Sequence, residues 1–377
     1  MKRAALATYF LITVQAFSAL GQGQLAMPLV DAKPEGKFSA EWRLRLSGID
    51  RHDQQSQSKT VDLRTEFKAK YLLNSNLHLD IQPAFRLQSG QTQSLDGADK
   101  PESKISLNQA AVHYLPLKAL RLSAGALNQR HMHTQLLMDE LAFPAARSEV
   151  LYKNGDFKTS LALETAIPTS TSLSTNTKEL EATPSLNTAA LKFNWQSENN
   201  FFWKSSAGYF AFNNLPSAVA QKSGLLGNEV DKISDANFSF RNKFEGLELL
   251  SELELPIYSF MDVMVRAEYV QNIKADAAYN SASLYSLGGR FHVTKNTDFI
   301  LAGGYFEIAP EAAVAYFNAN TLQTNRVGYI AETAVAFNKD GFILGLRYTD
   351  AELMYSNAVQ SREKSLFLKL ETFYAGI

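Results

Sequence analysis

The chain contains no cysteine, so neither a disulfide framework nor a thiolate metal site is open to it. It has almost no net charge either: 37 Lys and Arg against 38 Asp and Glu leave a formal -1. Without a clustered basic patch there is no electrostatic case for nucleic acid as a partner. Catalytic signatures are missing as well. There is no Gly-x-Ser-x-Gly elbow, no glycine-rich phosphate loop, and no recognisable Ser or Asn partner spacing around the six histidines. The expectation is a protein with no catalytic residues and no cofactor. The last absence concerns long apolar runs. Beyond the first twenty or so residues nothing approaches the ~20 apolar residues that a transmembrane helix requires.

The first residues read as an export signal. Met1-Lys2-Arg3 is positive, Ala4 to Leu20 is almost wholly apolar or small, and Ala19-Leu20-Gly21 offers a peptidase its small residues. This predicts a secretory signal over 1–21, cut before Gln22, rather than a membrane anchor. In this reading 22–37 is a short periplasmic segment, and 38–377 forms one domain.

What fills that domain is alternation. Val61, Leu63, Phe67, Ala69 and Tyr71 alternate with Asp62, Arg64, Glu66, Lys68 and Lys70. Leu77, Leu79, Ile81, Phe85 and Leu87 alternate with His78, Asp80, Gln82, Arg86 and Gln88. A period of two makes strands with one apolar and one polar face. The connections sort by length: tight turns at 73–76, 153–156, 197–200, 295–298 and 338–341, and long loops at 90–103, 128–146, 168–186, 212–235 and 309–325. A β-sandwich has no reason to sort its loops in this way, whereas a bacterial outer-membrane barrel does. The pattern predicts an all-β, transmembrane antiparallel β-barrel of about 16 strands, with 14 to 18 possible, both ends on the short-turn side. One stretch, 236–255, changes phase between Phe244 and Leu247. A single strand with a bulge near Glu245-Gly246 accommodates it, and a hairpin is the competing reading. Tyr71, Tyr114, Tyr152, Trp195, Trp203, Phe337, Tyr348 and Tyr374 lie near strand ends, where aromatic girdles belong.

Leu107-Asn108-Gln109-Ala110-Ala111-Val112-His113-Tyr114 followed by Leu120-Arg121-Leu122-Ser123-Ala124-Gly125 resembles the strand pair that bacterial outer-membrane porins carry before a long loop. Ala267-Glu268-Tyr269-Val270-Gln271-Asn272, and the run from Gly304-Tyr305-Phe306 to Asn325-Arg326-Val327-Gly328-Tyr329, are similar to motifs of the family named "putative porin". The resemblance spans most of 104–374 and its motifs are short. It implies a monomeric or trimeric barrel passing small solutes, located in the cell outer membrane. Outer-membrane lipid, the barrel-assembly machinery, small solutes and a homotrimeric partner follow from it. The end departs from the family, since Ala375-Gly376-Ile377 stands where a terminal aromatic is usual.

If the apolar face meets lipid, the other face lines the interior. That assigns Arg43, Arg45, Arg64, Glu66, Lys68, Arg86, Arg121, Arg266, Glu268, Arg290, Arg326 and Arg347 to the lumen. Charges of both signs are costly to bury dry, and a barrel this wide holds water. The expectation is therefore a hydrated pore for passive diffusion of small hydrophilic solutes and ions. Arg43, Arg45, Arg64 and Lys68 form either a basic wall with weak anion preference or the cationic half of ordinary cross-strand pairs. Loop 128–146 is too apolar to stand in water, because Leu136, Leu137, Met138, Leu141 and Phe143 require burial. Folded inward it would narrow the pore, with Arg130, Asp139 and Glu140 at the constriction; packed on the rim it would be a cap. His131 and His133 lack further ligands at a workable spacing, so no metal is expected there. The alternatives are a substrate-biased channel, for example for oligosaccharides, and a plugged barrel acting as an enzyme or surface anchor. A row of inward aromatics would favour the first, but only Phe367 and Phe373 carry that phase.

Overall fold

A computed structural model describes residues 37–53, 57–93, 101–168, 181–197, 201–234, 237–319 and 322–376. The expected signal, and the segment after it up to residue 36, lie outside the described residues. Nine strands come first: β1 (Phe38–His52), β2 (Gln57–Asn74), β3 (Leu77–Gln93), β4 (Lys104–Leu117), β5 (Leu120–Asn128), β6 (Ala142–Asn154), β7 (Phe157–Ala166), β8 (Ser185–Gln196) and β9 (Phe202–Asn213). A helix α1 (Ser217–Leu225) and a small hairpin, β10 (Val230–Ser234) with β11 (Asn237–Phe240), follow in one long loop. The wall resumes with β12 (Glu245–Tyr258), β13 (Met261–Asn272), β14 (Ser281–Thr294) and β15 (Thr297–Ile308). After the short helix α2 (Ala315–Asn318) come β16 (Arg326–Phe337), β17 (Phe342–Leu353), β18 (Glu363–Thr372) and the two-residue β19 (Ala375–Gly376).

Consecutive wall strands pair antiparallel, β9 pairs with β12, and β18 closes on β1 with Glu371 opposite Arg45. The result is a closed antiparallel barrel of 16 strands, as the alternation predicted. Tight turns gather at one end. Two of them need a left-handed residue, which Gly155 supplies at φ +56° and Gly341 at φ +72°.

The period of two carries through to burial. Leu287 and Leu301 face outward near the middle of β14 and β15, each 53% exposed, and Leu161 and Leu163 on β7 do the same. Rings cluster where strands end. At the turn end Phe193 packs on Trp203 (4.5 Å), Tyr258 on Phe260 (5.3 Å) and Phe337 on Phe342 (4.6 Å). At the loop end Tyr305 meets Tyr329 at 5.3 Å. An exposed apolar belt between two aromatic borders matches a bilayer and is ill suited to water. Leu287→Arg is accordingly expected to cost about 2–4 kcal/mol, the penalty of a guanidinium at mid-bilayer depth. Urea titration of the protein folded into lipid vesicles measures it, and an unshifted midpoint would refute the lipid-facing assignment.

Three local expectations need correction. Residues 237–240 do not begin a barrel strand; they pair with 230–234 in a separate hairpin, and the wall strand starts at Glu245. Parity survives because this hairpin lies outside the wall. The phase of Phe244 differs from that of Leu247 because Phe244 serves an interior core (1% exposed) whereas Leu247 faces out. At the junction a Cβ on Gly246 would lie 1.8 Å from the Gln271 carbonyl oxygen, so only glycine allows the approach to β13. Next, Tyr374 does not keep the outward phase. The β1 register slips by one residue between Arg45↔Glu371 and Trp42↔Ala375, a bulge that turns Tyr374 inward, where its hydroxyl donates to Glu66 at 2.9 Å. Finally, β6 begins at Ala142, earlier than expected, so the long loop before it is 129–141.

Candidate functional site

Loop 129–141 folds into the barrel. A turn of 3-10 helix, Gln129–His131, opens it, capped by Asn128, whose side chain accepts from the Arg130 amide at 2.9 Å. Leu136, Leu137 and Met138 are then fully buried against Phe143, Phe210, Phe306 and Phe317. The Phe317 carbonyl in α2 accepts from the Asp139 amide at 2.7 Å, and Asn318 donates to the Leu136 carbonyl at 2.9 Å. The two inward segments therefore brace one another.

Two glutamates on the wall hold this loop from the far side. Glu248 on β12 accepts from the Thr134 amide at 2.8 Å and lies 2.6 Å from His133 Nδ1. His133 Nε2 is 3.2 Å from the Thr188 hydroxyl on β8. Glu268 on β13 accepts from the Leu136 amide at 3.3 Å. All of these side chains are buried, His133 at 4% exposure and Glu248 at 2%. Thr188, His133 and Glu248 form a relay by distance alone, but what they do here is tie a loop to a wall. Gly208 makes room for the carboxylate, since a Cβ there would lie 3.0 Å from Glu248 Cγ.

The interior is not uniformly polar, contrary to expectation. Near the loop end the inward residues of β8, β9 and β13–β15 are apolar: Leu186, Phe210, Phe212, Val270, Leu284, Phe306 and Ile308 join the core that the loops complete. This forms an apolar plug against one side of the mouth. The Glu311 carboxylate, in the same loop system, accepts from the Glu229 amide at 2.6 Å, and burial pushes its carboxyl above the usual range. On the opposite side, the inward residues of β2 near the loop end are polar: Ser58, Thr60 and Asp62.

Below the plug, toward the turn end, the interior is charged and paired. Arg43 reaches both Glu66 and Glu371, the latter at 2.6 Å; Arg45 meets Glu371 at 2.8 Å and Arg64 meets Glu66 at 2.6 Å. Lys369 shares Glu371 at 2.8 Å, and Lys68 lies 3.7 Å above the Tyr374 ring. The basic wall and the cross-strand pairs thus coexist: Arg43, Arg45, Arg64, Lys68 and Lys369 gather around Glu66 and Glu371. Glu140 comes from the loop to face this wall, 3.8 Å from Arg64. Of the other expected constriction residues, Arg130 turns back to the His133 carbonyl at 3.2 Å, and Asp139 is 5% exposed within the packed loop.

The remaining expected lumen residues all pair inward. Arg86 meets Asp62, and Arg121 meets Glu149 at 3.5 Å. Arg266 lies between Glu268 and Glu252, the second at 2.8 Å, and Arg290 meets Glu254 at 2.5 Å. Arg326 donates to the Ser361 carbonyl, and Arg347 to Glu332. Such pairs tile a wall cheaply only where water completes their solvation.

The chain has the outer-membrane β-barrel fold. It is similar to the loop L8 deletion mutant of OmpT, an outer membrane protein of Vibrio cholerae: identity is 10%, the TM-score 0.52, and the match covers 90% of this chain and 100% of that one. It is likewise similar to Pseudomonas putida OprB in its high-pH structure, with 9% identity and a TM-score of 0.55 over 90% of this chain and 94% of that one. Likeness at such identities shows the fold and nothing finer. Neither a family model nor a curated protein matches the sequence.

What sequence reasoning missed had a signal. Tyr209-Phe210 on β9, Leu284-Tyr285 on β14 and Tyr305-Phe306 on β15 are apolar on both faces at the loop ends of their strands. In a hydrated barrel an inward apolar residue is out of place unless something dry packs against it.

Proposed function

We propose that the chain is a porin of the bacterial outer membrane, a passive water-filled channel for small hydrophilic solutes and ions that carries out no reaction of its own. Outer-membrane lipid, the barrel-assembly machinery and permeating solutes are its partners in this reading, and it assembles as a homotrimer or stands alone. The observation that carries the proposal is the interior below the plug: a lipid-suited shell encloses paired fixed charges, and a loop carboxylate, Glu140, faces an arginine wall 3.8 Å away. The short motifs within 104–374 that resemble the porin family support the same reading. Loop 129–141 is then the constriction, with Glu140 rather than Arg130 or Asp139 facing the wall.

Liposome swelling with sugars of graded size is the test: a smooth size cutoff is expected, and selective uptake of one sugar class would point to a specific channel. A second reading has an observation of its own. The apolar core under the mouth would suit a plugged barrel serving as an anchor, and absence of any swelling would decide for it.

Selectivity follows from the wall. Five cations stand around Glu66 and Glu371, with Glu41 and Glu140 as the neighbouring carboxylates that act on Lys68. A small cationic excess predicts weak anion preference. Under a KCl gradient the reversal potential is expected on the anion side, and the pair Arg64→Gln with Lys68→Gln moves it toward the cation side. Clear cation selectivity in the unaltered protein would refute the assignment.

A further inference from the structure

Three of the six histidines make instructive contrasts. His292 holds Asp298 at Nδ1 (2.8 Å) and Asp262 at Nε2 (3.0 Å), so its two carboxylates lie on opposite edges of the ring and cannot share one ion. His133 has both nitrogens engaged, by Glu248 and Thr188. His113 is arranged differently. Its Nδ1 lies 2.8 Å from the Ser123 hydroxyl, which leaves Nε2 directed at Asp80 Oδ2 at 3.3 Å. That Nε2 is buried and, apart from this contact with the Asp80 carboxylate, makes no hydrogen bond among the described residues.

Register brings a second imidazole to the same place. His78 on β3 pairs directly with His113 on β4, and Asp80 is the next inward residue of β3. The two rings stack with centroids 4.9 Å apart, and His78 Nε2 lies 3.9 Å from Asp80 Oδ2. One donor atom from each of the three residues falls within a set no wider than 4.8 Å. Donors around one tetrahedral ion at about 2.0–2.1 Å stand roughly 3.3 Å apart. The Asp80–His113 spacing already meets this, and modest side-chain rotation closes the rest. All three side chains keep some contact with the lumen, at 14%, 23% and 11% exposure, so an ion can reach them.

We propose that His78, Asp80 and His113 bind a divalent first-row transition ion, Zn2+ or Cu2+, inside the barrel near its turn end. Both imidazoles ligate through Nε2 and Asp80 through Oδ2, while a fourth position stays open to water. The donor set, two imidazoles and one carboxylate, suits these ions rather than Mg2+ or Ca2+. Ser123 fixes the His113 tautomer by accepting from Nδ1–H, so that Nε2 carries the lone pair. Lys70, paired opposite Asp80 on β2, and Arg121 on β5 are the cations facing the site. They weaken the binding, and added salt screens part of that repulsion. The proposal does not depend on whether the barrel conducts.

Calorimetric titration of the detergent-folded protein with ZnCl2 alone is expected to show one site. His113→Ala and Asp80→Asn each abolish it, while Ser123→Ala weakens it by about tenfold. His52→Ala and His131→Ala serve as controls and leave it unchanged. Cu2+ electron paramagnetic resonance supplies an independent readout, with two nitrogen couplings in the parent protein and one in His78→Ala. Because heat-modifiable gel mobility reports the folded barrel, loss of binding in a folded variant supports the site. Zn2+ binding that survives His113→Ala, or no binding in the parent protein, overturns it.

Discussion

Replacing residues 132–140 with a short glycine turn is expected to raise single-channel conductance about twofold or more, because it removes the segment that crosses the lumen of a barrel otherwise wide enough for an aqueous channel. The geometry allows this deletion without disturbing the wall. The Gln129 amide already donates to the Leu141 carbonyl at 2.8 Å, so the two ends of the loop meet at the wall and a tight connection can close them. The β5–β6 ladder runs from Leu120↔Val150 to Asn128↔Ala142 and lies outside the deleted stretch. Two effects compete. Taking out Leu136, Leu137 and Met138 uncovers Phe210, Phe306 and Phe317, and these could collapse inward. Strand-borne Phe210 and Phe306 are held by ladders on both sides, so only the segment around Phe317 is free to move. The cross-section therefore opens. Planar-bilayer recording in concentrated KCl makes the comparison, and a conductance equal to that of the parent protein would remove the loop from the permeation path.

The wall was legible in the sequence and the interior was half legible, for a physical reason. Outward and inward positions on a strand differ by one residue, so Leu287 and Arg290 announce their faces from neighbours within a few positions. The turn lengths added parity. What a period cannot report is which distant segment packs on an inward face. Phe306 and Phe210 read as strand residues, yet the partner that keeps them dry is Leu136–Met138, a loop brought from the other side of the lumen. Contacts of this kind depend on closure of the whole barrel. The same holds for His78 and His113. Each was visible as an inward residue, but their pairing follows from the β3–β4 register across a long loop whose residues 94–100 lie outside the described residues. Tyr374 shows the opposite case: a one-residue bulge near the end of the chain reversed a face that the simple alternation assigned.

The second large effect is expected at Glu248. Glu248→Ala should free loop 129–141 while leaving the barrel folded. The carboxylate is the acceptor for the Thr134 amide at 2.8 Å and the partner of His133 at 2.6 Å, in surroundings where it is 2% exposed. Its removal leaves those two groups dry and unpartnered, at about 1–3 kcal/mol for each. Against this, the loop retains the burial of Leu136, Leu137 and Met138 and the bonds to Phe317 and Asn318. The two costs are comparable to what a single inward loop can retain, so the segment is expected to leave the lumen for part of the time rather than for good. Glu248→Gln keeps the volume above Gly208 and one acceptor oxygen, and should show roughly half the effect. Two readouts follow: faster tryptic cleavage after Arg130, and open-channel current that flickers toward the level of the 132–140 deletion. The ladder of β12 with β9 and β13 does not use the side chain, so heat-modifiable mobility should stay as in the parent protein. If Glu248→Ala is as protease-resistant and as quiet as the parent, the loop is held by its apolar packing alone, and the buried glutamate is not its anchor.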